Sequence, residues 1–195
     1  MTRPFTVLHI CTGNLCRSPL AEHLMRAGLQ DRLGDAADHF AVGSAGTHGF
    51  PGDSMATFAL EVLGDRSVDG SAFRARELAA DLVSDADLVL TANREHRVAV
   101  VALVTNAAPR TFTLTEFARL AAGVDVASLP GVSAVERARA LVPAVAQRRR
   151  PAARPQQDDL PDPHRGPRKG FEACARTVEE SLQVLLDLWT PTPHP

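Results

Sequence analysis

Short runs of β-branched and apolar residues alternate along the chain with longer stretches in which apolar positions recur every three or four residues. That rhythm predicts repeated strand–helix–strand units, and hence a parallel sheet covered by helices. Residues 6–10 read as a first buried strand. Ser18 and Pro19 read as an N-cap and first helical position, with Leu20, Leu24 and Ala27 giving the stripe of the helix that follows. A second strand is predicted over 39–43, ending in the turn-rich Gly43-Ser44-Ala45-Gly46-Thr47. Helices are predicted over 54–63, 77–83 and 95–103, a third strand over 87–91, and a fourth centred on 111–113. The segment 171–189 is amphipathic, with Phe171, Val178, Leu182, Leu185, Leu186 and Trp189 broadly on one face. The expected fold is a single α/β domain over 1–195: a central four-stranded parallel sheet, flanked by helices on both faces.

One region breaks the rhythm. Residues 124–160 read as an insertion, holding a helical pattern over 133–147 that Pro143 interrupts. From Arg148 to Lys169, seven basic residues face Asp158, Asp159 and Asp162, a local charge of +4. This stretch reads as a solvated, partly mobile loop, or as a basic rim that attracts an anionic substrate.

Composition narrows the function classes. The 21 basic and 23 acidic side chains leave a formal charge of −2, which argues against a general nucleic-acid binder. The longest apolar run, 98–104, is far too short to span a membrane, and the apolar stretch after Met1-Thr2-Arg3-Pro4 is too short for a signal-peptide core. Three cysteines without an export signal predict free thiols in a reducing, cytoplasmic setting. The seven histidines, His194 the last of them, show no spacing typical of a metal site, so no metal or cofactor is expected. Lys169 is the only lysine, a bias suggesting a GC-rich bacterial genome.

The chemistry concentrates in Cys11-Thr12-Gly13-Asn14-Leu15-Cys16-Arg17-Ser18. The cysteine closes a buried strand and the arginine opens a helix. Backbone N–H groups of such a loop can converge on one point, and the helix N-terminus adds positive partial charge, which together make an anion cradle. Gly13 permits positive φ, and Asn14 is among the few other residues that tolerate it. Arg17 supplies a planar fork matched to two phosphate oxygens. The same field favours a thiolate at Cys11, and a thiolate aimed into a phosphate cradle is a nucleophile for phosphorus.

With its flanks, Val7 to Glu22, this segment resembles the signature of the low-molecular-weight protein tyrosine phosphatases. Further matches follow in order: Ser44-Ala45-Gly46-Thr47, Arg74-Ala75-Arg76-Glu77-Leu78, Ala86-Asp87-Leu88-Val89-Leu90, and Asp162-Pro163 before the last helix. The resemblance implies hydrolysis of phosphotyrosine in proteins, or of small aryl phosphates, through a phosphocysteine on Cys11. It assigns phosphoryl binding to Arg17 and to the amides of Thr12, Gly13, Asn14, Leu15, Cys16 and Ser18. Ser18 would hydrogen-bond the sulfur, and Asp162 would be general acid and then base. Cys16 would form a reversible disulfide protecting the nucleophile. Phe50 and His164 would line the substrate cleft.

The chain also departs from that family. His164 replaces a common Tyr after Asp-Pro, Asn93 replaces a frequent Asp, and Phe73 replaces a histidine that helps hold the loop Asn and Ser. With Phe73 the loop is expected to hang on Ser44 and backbone groups, or to be held less well, giving a slow enzyme. Two other readings stand beside the phosphatase. A thioredoxin-coupled arsenate reductase would need relay cysteines near residues 80–95, where there are none, and would lack Asp162-Pro163. A phosphotyrosine- or oxyanion-binding protein with weak turnover fits the departures at Phe73 and His164.

Overall fold

The computed structural model describes residues 3–125 and 129–190. Met1, Thr2 and His194 lie outside the described residues, as do 126–128 within the expected insertion. Strands β1 (Phe5–Cys11), β2 (Phe40–Gly46), β3 (Leu88–Thr91) and β4 (Thr111–Thr113) form one parallel sheet in the order β2-β1-β3-β4. Helices α1 (Arg17–Leu33), α2 (Thr57–Gly64), α3 (Ala80–Asp85), α4 (Arg94–Leu103), α5 (Leu114–Ala121), α6 (Ala134–Gln147) and α7 (Arg168–Trp189) cover it.

Period-two alternation on β1 divides the core between two faces. Phe5 and Val7 join a large cluster with α1, α2, α5, α6 and α7, whereas Leu8 and Ile10 join a smaller one with α3 and α4. Trp189, fully buried at the end of α7, stacks on Phe40 at 5.5 Å and meets Phe5 edge-on at 5.7 Å, sealing the amino ends of β1 and β2. Among the described residues no helix is long and apolar enough to cross a membrane.

Several boundaries move for physical reasons. The first helix starts at Arg17, so Ser18 is not its N-cap; that position is Cys16, which makes no side-chain cap bond. Pro19 is tolerated in the first turn because no carbonyl there awaits its missing N–H. The helix expected from residue 77 starts at Ala80 because Glu77 pairs with Gly46 as an isolated parallel bridge. Helix α5 went unread, although Thr113 and Glu116 form a capping box visible in the sequence as Thr-x-x-Glu.

Among its described residues, the region 124–160 is more helical and more buried than a solvated loop. Helix α6 runs unbroken through Pro143 and buries Ala138, Leu141, Val142 and Val145. An internal proline costs about 3 kcal/mol, but burying three large aliphatic side chains offsets about 1.5–3 kcal/mol each. Beyond it, Arg149 lies over the Phe112 ring at 3.9 Å and donates to the carbonyls of Ala108 and Thr111. Asp158 is buried against Arg119 at 3.0 Å, and Arg168 binds Glu61, Asp65 and Glu172. Two of the seven basic residues are thereby tied into the fold rather than presented as a rim.

His9, on β1, is 1% exposed, and its Nε2 has no partner among the described residues. Burial, with Arg26 adding to it, pushes the His9 pKa down to about 3. An unfolded imidazole titrates near 6.5, so the unfolded chain binds a proton that the folded chain refuses between those values. Stability present above pH 6.5 is therefore lost as pH falls through that window. Replacing His9 by Leu is expected to flatten the fall of Tm between pH 6.5 and about 4. Parallel melting profiles for the two proteins would show that the proton is taken up elsewhere.

Candidate active site

The register brings the carboxyl ends of the strands together, with Cys11 beside Gly46, Ile10 beside Thr91, and Thr91 beside Thr113. Between Cys11 and α1 the chain makes one tight loop. Its carbonyls turn outward: those of Cys11, Thr12 and Leu15 accept from the N–H groups of Thr47, His48 and Ala56, each at 2.9 Å. Among the described residues, the N–H groups of Thr12 to Arg17 donate to no carbonyl or side chain. The loop thus presents a ring of free donors at a helix N-terminus. That is the arrangement an oxyanion requires.

The left-handed residue that makes this turn is Asn14, at φ 57°, and not Gly13. Glycine at position 13 answers a steric need, since a Cβ there would stand 3.2 Å from Cε2 of Phe50. Gly46 answers a harder one: a Cβ would stand 2.4 Å from the Thr12 carbonyl oxygen and 2.9 Å from the Asn14 nitrogen. Only glycine lets β2 run alongside the loop.

The buried Asn14 carboxamide sets the polarity of everything behind the loop. Its Oδ1 accepts from the Arg76 N–H at 2.9 Å, so its Nδ2 must donate, and does so to Ser44 at 2.8 Å and Ser18 at 2.9 Å. Ser44, having accepted, donates to Glu22 at 2.5 Å. Ser18 lies 3.0 Å from Cys11 Sγ, with the Ala45 carbonyl a longer acceptor at 3.4 Å; a thiolate sulfur can only accept, and then takes the Ser18 proton. Phe73 takes no part in this and packs edge-on against His23 at 5.7 Å. The loop is therefore held through Ser44 and a backbone N–H, without a residue-73 hydrogen bond.

Arg17 is 5% exposed, and its Nη2 bonds Asp162 at 2.8 Å and the Thr12 hydroxyl at 3.4 Å. The Thr12 hydroxyl also meets His96 Nε2 at 2.8 Å. Burial and the Arg17 charge push the His96 pKa down to about 4, so this imidazole is neutral at pH 7. Asp162 accepts from the His164 N–H through Oδ1, and its side chain is half-exposed. Its segment is fastened to the sheet by Leu160 N–H to the Ala92 carbonyl at 2.8 Å and by the Asp159–Arg94 pair at 2.9 Å. Asp158 and Asp159 are both tied to arginines, which leaves Asp162 as the carboxylate that lines the cavity.

That cavity, about 250 Å³, has Cys11 and Arg17 at its floor. Leu15, Cys16, Phe50 and His164 line it as expected, with His48, which sequence reasoning missed. Desolvation, with Cys11 adding to it, pushes the Cys16 thiol up to about 12. His96 was also missed, because it meets Thr12 from α4 only through the fold, and Glu22, the last residue of the signature segment, was given no role although it accepts from Ser44.

The sequence pattern of the low molecular weight phosphotyrosine protein phosphatases matches residues 6–129, well over half the chain. This chain belongs to that family. A low molecular weight protein-tyrosine-phosphatase of Streptomyces coelicolor is 31% identical over 185 residues, covering 93% of this chain and 92% of its own. The chain spans about half the length of other curated relatives it matches, 53% for a probable phosphatase, EpsP, of Ralstonia nicotianae at 38% identity. Among solved structures, the low molecular weight protein tyrosine phosphatase from T. tengcongensis is 26% identical with a TM-score of 0.68, covering 94% of this chain and 98% of that one. The YwlE arginine phosphatase from Geobacillus stearothermophilus is 25% identical at the same TM-score, covering 94% and 92%.

Family membership makes residue 14 the sharpest test of the geometry. Asn14→Gly keeps the left-handed backbone but strands the two serines, and is expected to cost about 1–3 kcal/mol in urea unfolding. Asn14→Ala adds the left-handed penalty and should lose roughly 1–2 kcal/mol more. Phe73→His is expected to lower Tm without raising turnover of an aryl phosphate. A rise in turnover would mean that position 73 does reach the network.

Proposed function

We propose that the chain is a protein tyrosine phosphatase hydrolysing phosphotyrosine and aryl phosphate monoesters through a phosphocysteine intermediate. The observation that carries this reading is the chain of contacts from Asn14 through Ser18 to Cys11 Sγ at the centre of a ring of free amides, in which a thiolate sulfur accepts the Ser18 proton. A sulfur so placed attacks phosphorus as a thiolate and later leaves as one, and the Ser18 hydrogen bond stabilises it both times.

Phosphate binding would exchange one Asp162 carboxylate oxygen on Arg17 for two phosphoryl oxygens on its fork. The incoming dianion also sets negative charge beside Asp162, which favours the protonated form that a general acid needs. The acid then protonates the departing phenolate and afterwards takes a proton from the water that hydrolyses the phosphocysteine. His48 and His164 line the same mouth and have no step assigned to them.

The likeness to an arginine phosphatase raises a second substrate, a phosphorylated guanidine. The walls speak for the aryl group. Leu15 and Phe50 offer apolar surface against which an aromatic ring can pack. The free thiols of Cys11, Cys16 and Cys174 support a reducing, cytoplasmic setting.

Steady-state kinetics test the whole scheme. Cys11→Ser is expected to abolish turnover while keeping oxyanion binding, and Asp162→Asn to lower kcat for aryl phosphates roughly 10²–10⁴-fold. That loss should shrink as the leaving group becomes more acidic; a penalty flat across leaving groups would remove Asp162 from the role. A phosphotyrosine peptide should exceed a phosphoarginine peptide in kcat/KM, and the reverse order would overturn the substrate assignment.

A further inference from the structure

We propose that the outer edge of β2 carries a second oxyanion site, separate from the loop at Cys11, that takes a phosphate group. Strand β2 is the outermost strand of the sheet, so its outward carbonyls need partners. Arg26 donates to the Val42 carbonyl through Nε at 3.1 Å and Nη2 at 2.5 Å, and Arg76 donates to the Ser44 carbonyl through Nε at 2.6 Å. Arg74 is oriented in the same way, its Nη1 donating to the carbonyls of Ser71 and Phe73.

Peptide carbonyls fix the direction of a guanidinium without cancelling its charge. The three arginines wall a cavity of about 340 Å³ together with His23, Phe73 and Glu22. Glu22 is its single carboxylate, and it is already committed to Arg26 at 2.8 Å and to the Ser44 hydroxyl. Three guanidinium charges thus face one carboxylate. Among the described residues, no acceptor engages either Nη of Arg76, or the Nε and Nη2 of Arg74. These are two pre-oriented forks with open donors and an uncompensated charge. A tetrahedral dianion matches that arrangement in charge, and the cavity leaves room for part of whatever bears it.

The site lies directly behind the catalytic loop. Arg76 gives its backbone N–H to Asn14 and its side chain to the Ser44 carbonyl, and the Arg76 carbonyl accepts from Gly46. An anion on Arg76 therefore sits one residue away from the network that orients Ser18. The claim needs only these contacts and is independent of which phosphate ester the loop hydrolyses.

Titration of the protein with inorganic phosphate, followed by NMR at side-chain Nε–H and loop amide signals, tests it. Two saturable curves with different Kd are expected, one at Gly13 and Leu15, the other at the Nε–H of Arg74 and Arg76. Arg74 is exposed and contacts only its own turn, so Arg74→Glu should leave Tm and the loop curve intact while weakening the second curve at least about tenfold. A phosphoserine peptide in a parallel titration separates a site for chain-borne phosphate, which would bind it as tightly, from one for the free ion, which would bind it less. If the arginine signals follow the loop's own Kd, or saturate unchanged in Arg74→Glu, there is one phosphate site and the proposal is wrong.

Discussion

The Asn14 carboxamide joins the loop that carries it to three other pieces of chain: α1 through Ser18, β2 through Ser44, which reaches back to Glu22 on α1, and the 74–78 segment through the Arg76 N–H. From Arg76 through Asn14 and Ser44 to Glu22 each bond forces the direction of the next, because a backbone N–H can only donate and a carboxylate only accept. Rotate the amide by half a turn and its nitrogen faces a donor while its oxygen leaves both serines to rearrange. A buried network of this kind is costly when partly satisfied and specific when complete. Here it is complete, and it ends on a sulfur.

The fold was largely readable because its strands are short, buried and separated by periodic helices. All four strands lie where alternation placed them, with β1 and β2 each extending further than expected. The errors share one cause, which is that local pattern knows nothing of what a segment packs against. Pro143 looks like a helix breaker until the burial of Leu141, Val142 and Val145 is set against it. Residue 77 looks helical until Gly46 is found beside it, completing the edge of the sheet.

The site was legible in the loop and less so around it. Contiguous residues such as Cys11, Asn14, Arg17 and Ser18 declare themselves by spacing, since the loop that holds them is one piece of chain. His96 reaches the same centre from α4, where nothing in its neighbourhood sets it apart from a capping or surface residue. Phe73 is a departure whose effect the sequence alone leaves open. Of the two outcomes, the structure shows the one in which Ser44 and a backbone N–H hold Asn14.

The three ties that fasten the segment before Asp162 have a consequence for how this chain can vary in length. Asp158 is clamped to α5 by Arg119, Asp159 to the start of α4 by Arg94, and Leu160 to the end of β3 by the Ala92 carbonyl. The position of Asp162 is thus measured from the sheet and not along the contour of the preceding forty residues. Extra or missing turns upstream, in the stretch that carries α6, are absorbed before the clamp and do not propagate to the carboxylate. The clamp works as a fixed reference mark: it lets the chain lengthen in one place while the acid stays within reach of Arg17 in another.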